Sequence, residues 1–236
     1  MQNNDTSSGT SRGAQSNQND KLTDKINDFV QRNRKGILTA VIILAVGIAG
    51  TIAFFSLNDY FNRKAIADLE ELDKRLSELK TEINEESGTG DAEALLADLN
   101  AFAKNKSGFA GGKAWSSIAQ IHTDRKEWAE AESAWRNAAR AGAKTYLGPV
   151  ALFNAAVAAE EQGKLEEAIE LLRNCIAHKF DFPAAPRAQF SIGRINESLN
   201  NIPAAIEAYR AVMINWSHIT VWSNLAQSRI TALEIR

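Results

Sequence analysis

Apolar side chains along this chain recur in steps of three and four, and period-two alternation of Val, Ile and Thr is missing, so the pattern predicts helices throughout. Residues 1–20 are polar and hold no large apolar side chain after Met1, which predicts a disordered tail. Leu22, Ile26, Phe29 and Val30 put one apolar face on an otherwise charged stretch, and residues 21–35 read as a juxtamembrane amphipathic helix. Residues 36–57 then run for 22 positions without a charge. About 20 such residues cross the hydrocarbon core of a bilayer, so this stretch predicts a transmembrane helix. The run is too long, and lies too far from the start, for a cleaved signal peptide. Lys25, Arg32, Arg34 and Lys35 precede the span and only Arg63 and Lys64 follow it closely, a bias that places the N-terminus in the cytoplasm and the rest on the exported side.

Residues 58–90 read as a linker helix. Ala65, Leu69, Leu72, Leu76, Leu79 and Ile83 alternate in steps of four and three, a heptad seam about three heptads long. The seam suits either a short coiled coil that joins copies of the chain through residues 65–83 or a helix packed on its own domain. Glu86 to Asp91 is a break with Asp91 as N-cap, residues 92–105 form another amphipathic helix, and Gly108, Gly111 and Gly112 mark the following loop.

From residue 112 onward the chain is self-similar. Ala131, Ala168 and Ala205 sit in matching settings 37 residues apart, the period of a solenoid of helix pairs. Counting each of these alanines as position 20 puts Trp115 and Leu152 at position 4. Ile118-Ala119, Ala155-Ala156 and Ile192-Gly193 fall at 7–8, Trp128, Leu165 and Ile202 at 17, Trp135, Leu172 and Tyr209 at 24, and Ala138, Cys175 and Val212 at 27. Residues 220–234 read as a terminal helix with Trp222 and Leu225-Ala226 in the same places. Small residues at 8 and 20 let paired helices cross closely, and bulky ones at 4, 17 and 24 fill the space between pairs. This pattern resembles the tetratricopeptide repeat over residues 91–236. It departs at position 11, where His122, Ala159 and Asn196 replace Tyr, and at position 32, where Ala143, Phe180 and Ser217 replace Pro. The expected fold is all-α: an N-terminal transmembrane helix, a long heptad-bearing helix, then a tetratricopeptide-like α-solenoid of three degenerate repeats and a capping helix.

Composition removes several classes of function. The net charge of -2, with no clustered basic face, gives nucleic acid no footprint. The single cysteine, Cys175, makes no intrachain disulfide and founds no zinc site, and its small-residue position suits an inert buried thiol. His122, His178 and His218 have no His or Cys partner one turn away. Gly111-Gly112-Lys113 lacks the upstream glycine of a phosphate loop and is followed by Ala114. The acidic pairs Glu70-Glu71, Glu85-Glu86 and Glu166-Glu167 read as solvated helix faces. No catalytic, metal or cofactor site is predicted, and the chain is expected not to be an enzyme.

What the resemblance implies is a protein-binding groove along the first helix of each repeat, at positions 2, 5, 9 and 12. Here these are Lys113, Ser116, Gln120 and Thr123, then Val150, Phe153, Val157 and Glu160, then Arg187, Phe190, Arg194 and Glu197. The expected contact residues are Gln120, Phe153, Val157, Arg187, Phe190 and Arg194, with either phenylalanine equally at home in the core. The whole arrangement, from the amphipathic lead through one anchor to an exported repeat domain, resembles the ancillary subunit of the bacterial SecYEG translocon. That resemblance implies an inner-membrane scaffold that recruits periplasmic chaperones or envelope proteins near translocon subunits. The alternative is a self-associating structural protein of a division or secretion complex, joined through Leu69, Leu72, Leu76, Leu79 and Ile83.

Overall fold

The computed structural model describes the backbone of residues 12–82 and 89–235 and the side chains of 25, 27–78 and 92–235. The described residues form helices and turns without a strand. The helices are α1 (Arg12–Glu82), α2 (Thr89–Lys104), α3 (Gly108–Asp124), α4 (Trp128–Ala141), α5 (Leu147–Glu161), α6 (Leu165–Ile176), α7 (Ala185–Ser198), α8 (Ile202–Asn215) and α9 (Thr220–Glu234). The chain divides into two units, Met1–Phe61 and Asn62–Arg236.

In the first unit, α1 is unbroken from Arg12, so residues 12–20 are helical where their polar composition predicts disorder. Adding residues to an established helix is far easier than nucleating one. The remainder of the expected tail, residues 1–11, lies outside the described residues, as does most of the break at 83–88. The amphipathic lead and the apolar run share one helix. Within α1, residues 27–78 contain a window of mean hydropathy 2.6 that is not buried by the rest of the chain, so this helix is long and apolar enough to cross a membrane.

The second unit is an array in which each helix from α2 to α9 packs on the next in sequence. Its core follows the repeat pattern: Ala119, Ala131, Ala138, Ala155, Ala156, Ala168, Cys175, Ala188 and Ala205 are buried, with Ile118, Trp135, Leu171, Leu172, Ile192, Ile195, Tyr209 and Val212 filling the space among them. The terminal cluster of Ala205, Tyr209, Val212, Ala226, Ile230 and Leu233 closes on Phe190 and Trp222. α9 has the bounds that the repeat pattern predicts.

The heptad seam packs on its own domain. Ala65 and Leu69 lie in the same buried cluster as Leu95, Leu99 and Ile118, with Leu72 and Leu76 packed against it. Asp73 accepts a hydrogen bond from the Ser117 hydroxyl (2.9 Å) and pairs with Lys113 (3.4 Å), and Arg75 donates to Asp98 (2.7 Å). Of the expected oligomerisation seam, Leu69 is buried in the chain's own core and Leu72 and Leu76 are half-buried against it. The side chain of Leu79 and the whole of Ile83 lie outside the described residues.

Two local expectations change as well. α2 begins at Thr89, so Asp91 stands inside its first turn and not at the N-cap. Gly111 and Gly112 lie within α3 and not in a loop. A Cβ on Gly111 would strike the Lys106 carbonyl, and one on Gly112 would stand 3.0 Å from the Gly142 Cα. These glycines mark close backbone approach inside a helix. Gly193 does the same for a side chain: a Cβ there would lie 2.5 Å from the Tyr209 ring.

Among the described residues one acidic group is buried, Glu132 of α4. Glu132 accepts hydrogen bonds from Arg136 (2.7 Å), Lys164 (2.9 Å) and Gln162 (2.9 Å). Arg136 also binds Glu167, so α4, the α5–α6 turn and α6 are clipped together. Burial pushes the Glu132 carboxyl up, but the bonds from Lys164, Arg136 and Gln162 outweigh it and hold the group below its ordinary 4.5.

This packing sets two measurable outcomes. Gly193→Ala should lower stability by about 1–3 kcal/mol, because Tyr209 is itself fully packed and has little room to retreat; a urea titration followed by tryptophan fluorescence measures it. Glu132 has a lowered folded pKa, so its contribution is present above pH 4.5 and is lost as pH falls through that value and then through the folded one. Glu132→Gln should cost about 1–3 kcal/mol at neutral pH and should flatten the acid arm of the stability profile, read from urea midpoints across pH.

Candidate partner-binding groove

α3, α5, α7 and α9 are the first helices of successive repeats, and ion pairs join neighbours in this layer. Arg194 of α7 donates both guanidinium ends to Glu160 of α5 (2.5 and 2.6 Å). Arg229 of α9 binds Glu197 of α7, which also accepts from the Tyr209 hydroxyl (2.5 Å). The bond from Arg194 to Glu160 raises the guanidinium pKa above its ordinary value. Burial, reinforced by Glu197, pushes the Tyr209 phenol well above its usual range. Tyr209 is therefore a structural hydroxyl that stays protonated.

The six expected contact residues fall into three groups. Val157 (38% exposed), Arg187 and Arg194 reach the surface of this layer, and Gln120 is half-buried with its amide donating to Asp124 (2.7 Å). Phe153 is only 8% exposed, with its ring 5.7 Å from Phe182 and beneath the Arg187 guanidinium at 5.1 Å. Phe190 is half-buried between the rings of Tyr209 (4.9 Å) and Trp222 (5.6 Å). The phenylalanines thus form core and the floor of the groove. Phe182 explains Phe153: it comes from the connection between α6 and α7, where this chain is longer than the regular repeat, and closes over a position that would otherwise be open.

Two surface aromatics complete the site. Tyr146 is 59% exposed, and its ring lies tilted 6.0 Å from the exposed Phe109 at the start of α3. Tyr146, Val150, Phe153 and Val157 then follow one another in steps of four, three and four, so the middle first helix carries an apolar stripe along its free face. That continuity is the sequence signal for Tyr146. Phe109 has none, because its partner lies a full repeat away. Among the described residues Arg187 has no carboxylate partner, while Arg194 and Lys113 are engaged by Glu160 and Asp73. The surface therefore offers an apolar strip, one cation stacked on an aromatic floor, and paired charges to either side.

Burial pushes the Cys175 thiol up to about 12, against a weaker opposing bond from the Phe153 backbone, so it is not a thiolate at neutral pH. His122 shares a 2.6 Å hydrogen bond with Glu127, and His178 packs over Gly148. Among the described residues no group of three His, Cys, Asp or Glu side chains could hold a metal.

Residues 27–234 match the family described as tetratricopeptide repeat-like domain, and the chain belongs to that family. A Treponema pallidum TPR repeat-containing protein is 28% identical over 226 residues, covering 89% of this chain and 94% of that protein. Two solved structures, one of them of a single-residue variant, are of a Podosopora anserina protein described as a kinesin light chain with nearly identical TPR-like repeats. The variant has a TM-score of 0.48 at 13% identity, covering 64% of this chain and 76% of that one. The other form has a TM-score of 0.47 at 13% identity, with 64% and 77% covered. The repeats of this family are protein-interaction modules, and that is the coarse role of this chain.

Floor and surface separate by substitution. Phe153→Ala should cost about 3–5 kcal/mol, whereas Val157→Ala and Tyr146→Ala should stay within about 0.5 kcal/mol of the parent; thermal unfolding followed by circular dichroism distinguishes them.

Proposed function

We propose that this chain is a membrane-anchored scaffold. Its repeat domain holds a segment of another protein against the stripe Tyr146, Val150 and Val157, with Phe109 extending the strip and Arg187 taking a carboxylate of the partner. The observation that carries this reading is the stripe itself: three apolar side chains on one helix face remain in water although the repeat beside them is fully packed. Contiguous exposed apolar surface of this kind marks interaction sites. Aromatic and Arg side chains supply most of the energy of protein contacts.

The anchor is residues 36–57, supported by their length and unbroken hydropathy. The Lys/Arg bias supports a cytoplasmic N-terminus and a repeat domain on the exported side, the periplasm of a bacterium. The likeness of the whole arrangement to the ancillary subunit of the SecYEG translocon supports translocon subunits or periplasmic chaperones as partners.

Crosslinking in intact membranes followed by purification of the full-length chain tests this. The parent should recover translocon subunits or periplasmic chaperones. Tyr146→Ala/Val157→Asp/Arg187→Ala, with its fold verified by circular dichroism, should lose at least ten-fold of that recovery. Equal recovery by the triple variant overturns the groove. Recovery of neither partner class overturns the translocon assignment while leaving the groove open to other proteins.

A further inference from the structure

The 37-residue register lets one repeat be set against the next, side chain by side chain. In the second repeat Arg136 of α4 is held by two carboxylates, Glu132 of its own helix and Glu167 of α6. One repeat on, the counterparts are Arg173, Ile169 and Ala204. Arg173 is kept while both of its acids are gone, and among the described residues it is exposed without a carboxylate partner. On the first helices the exchange runs the other way. Leu152 and Ala159 of α5 correspond to Gln189 and Asn196 of α7, so two apolar packing positions have become amides. These changes surround a crevice of about 190 Å³ between α6, α7 and α8, lined by Arg173, Gln189, Asn196, Glu207 and small residues of α8.

The lining has unspent hydrogen-bonding capacity. Each amide turns its NH2 group to a backbone carbonyl, Asn196 to Ile192 (2.8 Å) and Gln189 to Ala208 (3.2 Å), which leaves the two amide oxygens for other donors. Asn196 is only 5% exposed, yet no side-chain oxygen among the described residues is sealed away unbonded, so its Oδ1 opens on the crevice. Glu207 of α8 is exposed and, among the described residues, has no ion-pair partner. The crevice therefore presents three acceptors, two amide oxygens and a carboxylate, together with one cation.

We propose that this crevice binds a small free α-amino acid, its carboxylate on Arg173 and its ammonium on Glu207, Asn196 and Gln189. An ammonium brings three donors and no acceptor, which matches the three acceptors of the lining. A lone carboxylate would take Arg173 but meet the charge of Glu207, and a lone amine would meet Arg173. A ligand that carries both charges close together satisfies all four groups. Buried amides at packing positions cost stability unless they are bonded, and the ligand ammonium supplies those bonds. At ~30 Å³ per water the crevice holds about six waters, close to the heavy-atom count of alanine, and Ile192, Ala208 and Ala211 give its wall an apolar part for a small side chain. Gln189 and Asn196 stand at other positions of α7 than Arg187, Phe190 and Arg194, so binding here does not rest on what the groove holds.

Titration of the full-length chain in non-ionic detergent micelles with L-alanine, followed by saturation-transfer NMR of the ligand methyl group, provides the test. The signal should saturate. Propionate and ethylamine, which each keep one of the two charges, should bind at least ten-fold more weakly. Arg173→Gln and Glu207→Gln should each weaken L-alanine binding at least ten-fold, while Glu161→Gln on α5 leaves it unchanged. All three positions are exposed, so every variant should keep the parent circular dichroism. Absence of a saturable L-alanine signal overturns the proposal. So does binding that survives the Arg173 and Glu207 substitutions, and so does propionate or ethylamine binding as tightly as L-alanine.

Discussion

Close approach of paired helices is the constraint on which the rest of this molecule depends. Ala119, Ala156, Gly193 and Ala226 form one column of small side chains, and Ala131, Ala168 and Ala205 form another. Where these columns meet, backbones come near enough for the large residues between them to interlock: Trp135, Leu172 and Tyr209 occupy equivalent places, each buried. Dispersion contacts fade over fractions of an ångström, so a widened crossing would loosen all the bulky contacts that flank it. The array therefore tolerates variation in its loops and at exposed positions far better than in these columns.

That constraint also explains what could be read in the sequence. The 37-residue recurrence of alanines located the helix pairs, and the return of the same position pattern at Trp222 and Leu225-Ala226 located α9, because a small residue at a fixed place has one economical physical meaning in a helical chain. The heptad seam was half-legible. Leu69, Leu72 and Leu76 announced that something covers them, but periodicity carries no information on whether the cover comes from the same chain. Asp73, which sits on Lys113 and Ser117 and ties this part of α1 to α3, is an ordinary acid in the sequence.

The groove was the least legible part. Phe153 stands at a position that faces the groove in a regular repeat, and only the fold shows Phe182 lying over it. Glu132 carries no sequence signal for burial, yet Arg136 from its own helix and Gln162 and Lys164 from the α5–α6 turn converge on it. Long-range convergence of single side chains leaves no periodic trace. Tyr146 was different: it extends the α5 stripe by one step, and counting backward from Val150 finds it.

The ion pairs along the first-helix layer have a mechanical meaning. Glu160–Arg194 and Glu197–Arg229 bridge successive repeats on the face where a bound segment would lie, and no covalent link duplicates them. Splaying neighbouring repeats apart must stretch these rungs, so they resist opening of the layer. Their strength depends on the screening of the medium, which acts over about 8 Å at physiological ionic strength. The layer is in effect a strip with short, partly buried struts, whose stiffness dissolved salt weakens less than it would weaken pairs held apart in open water.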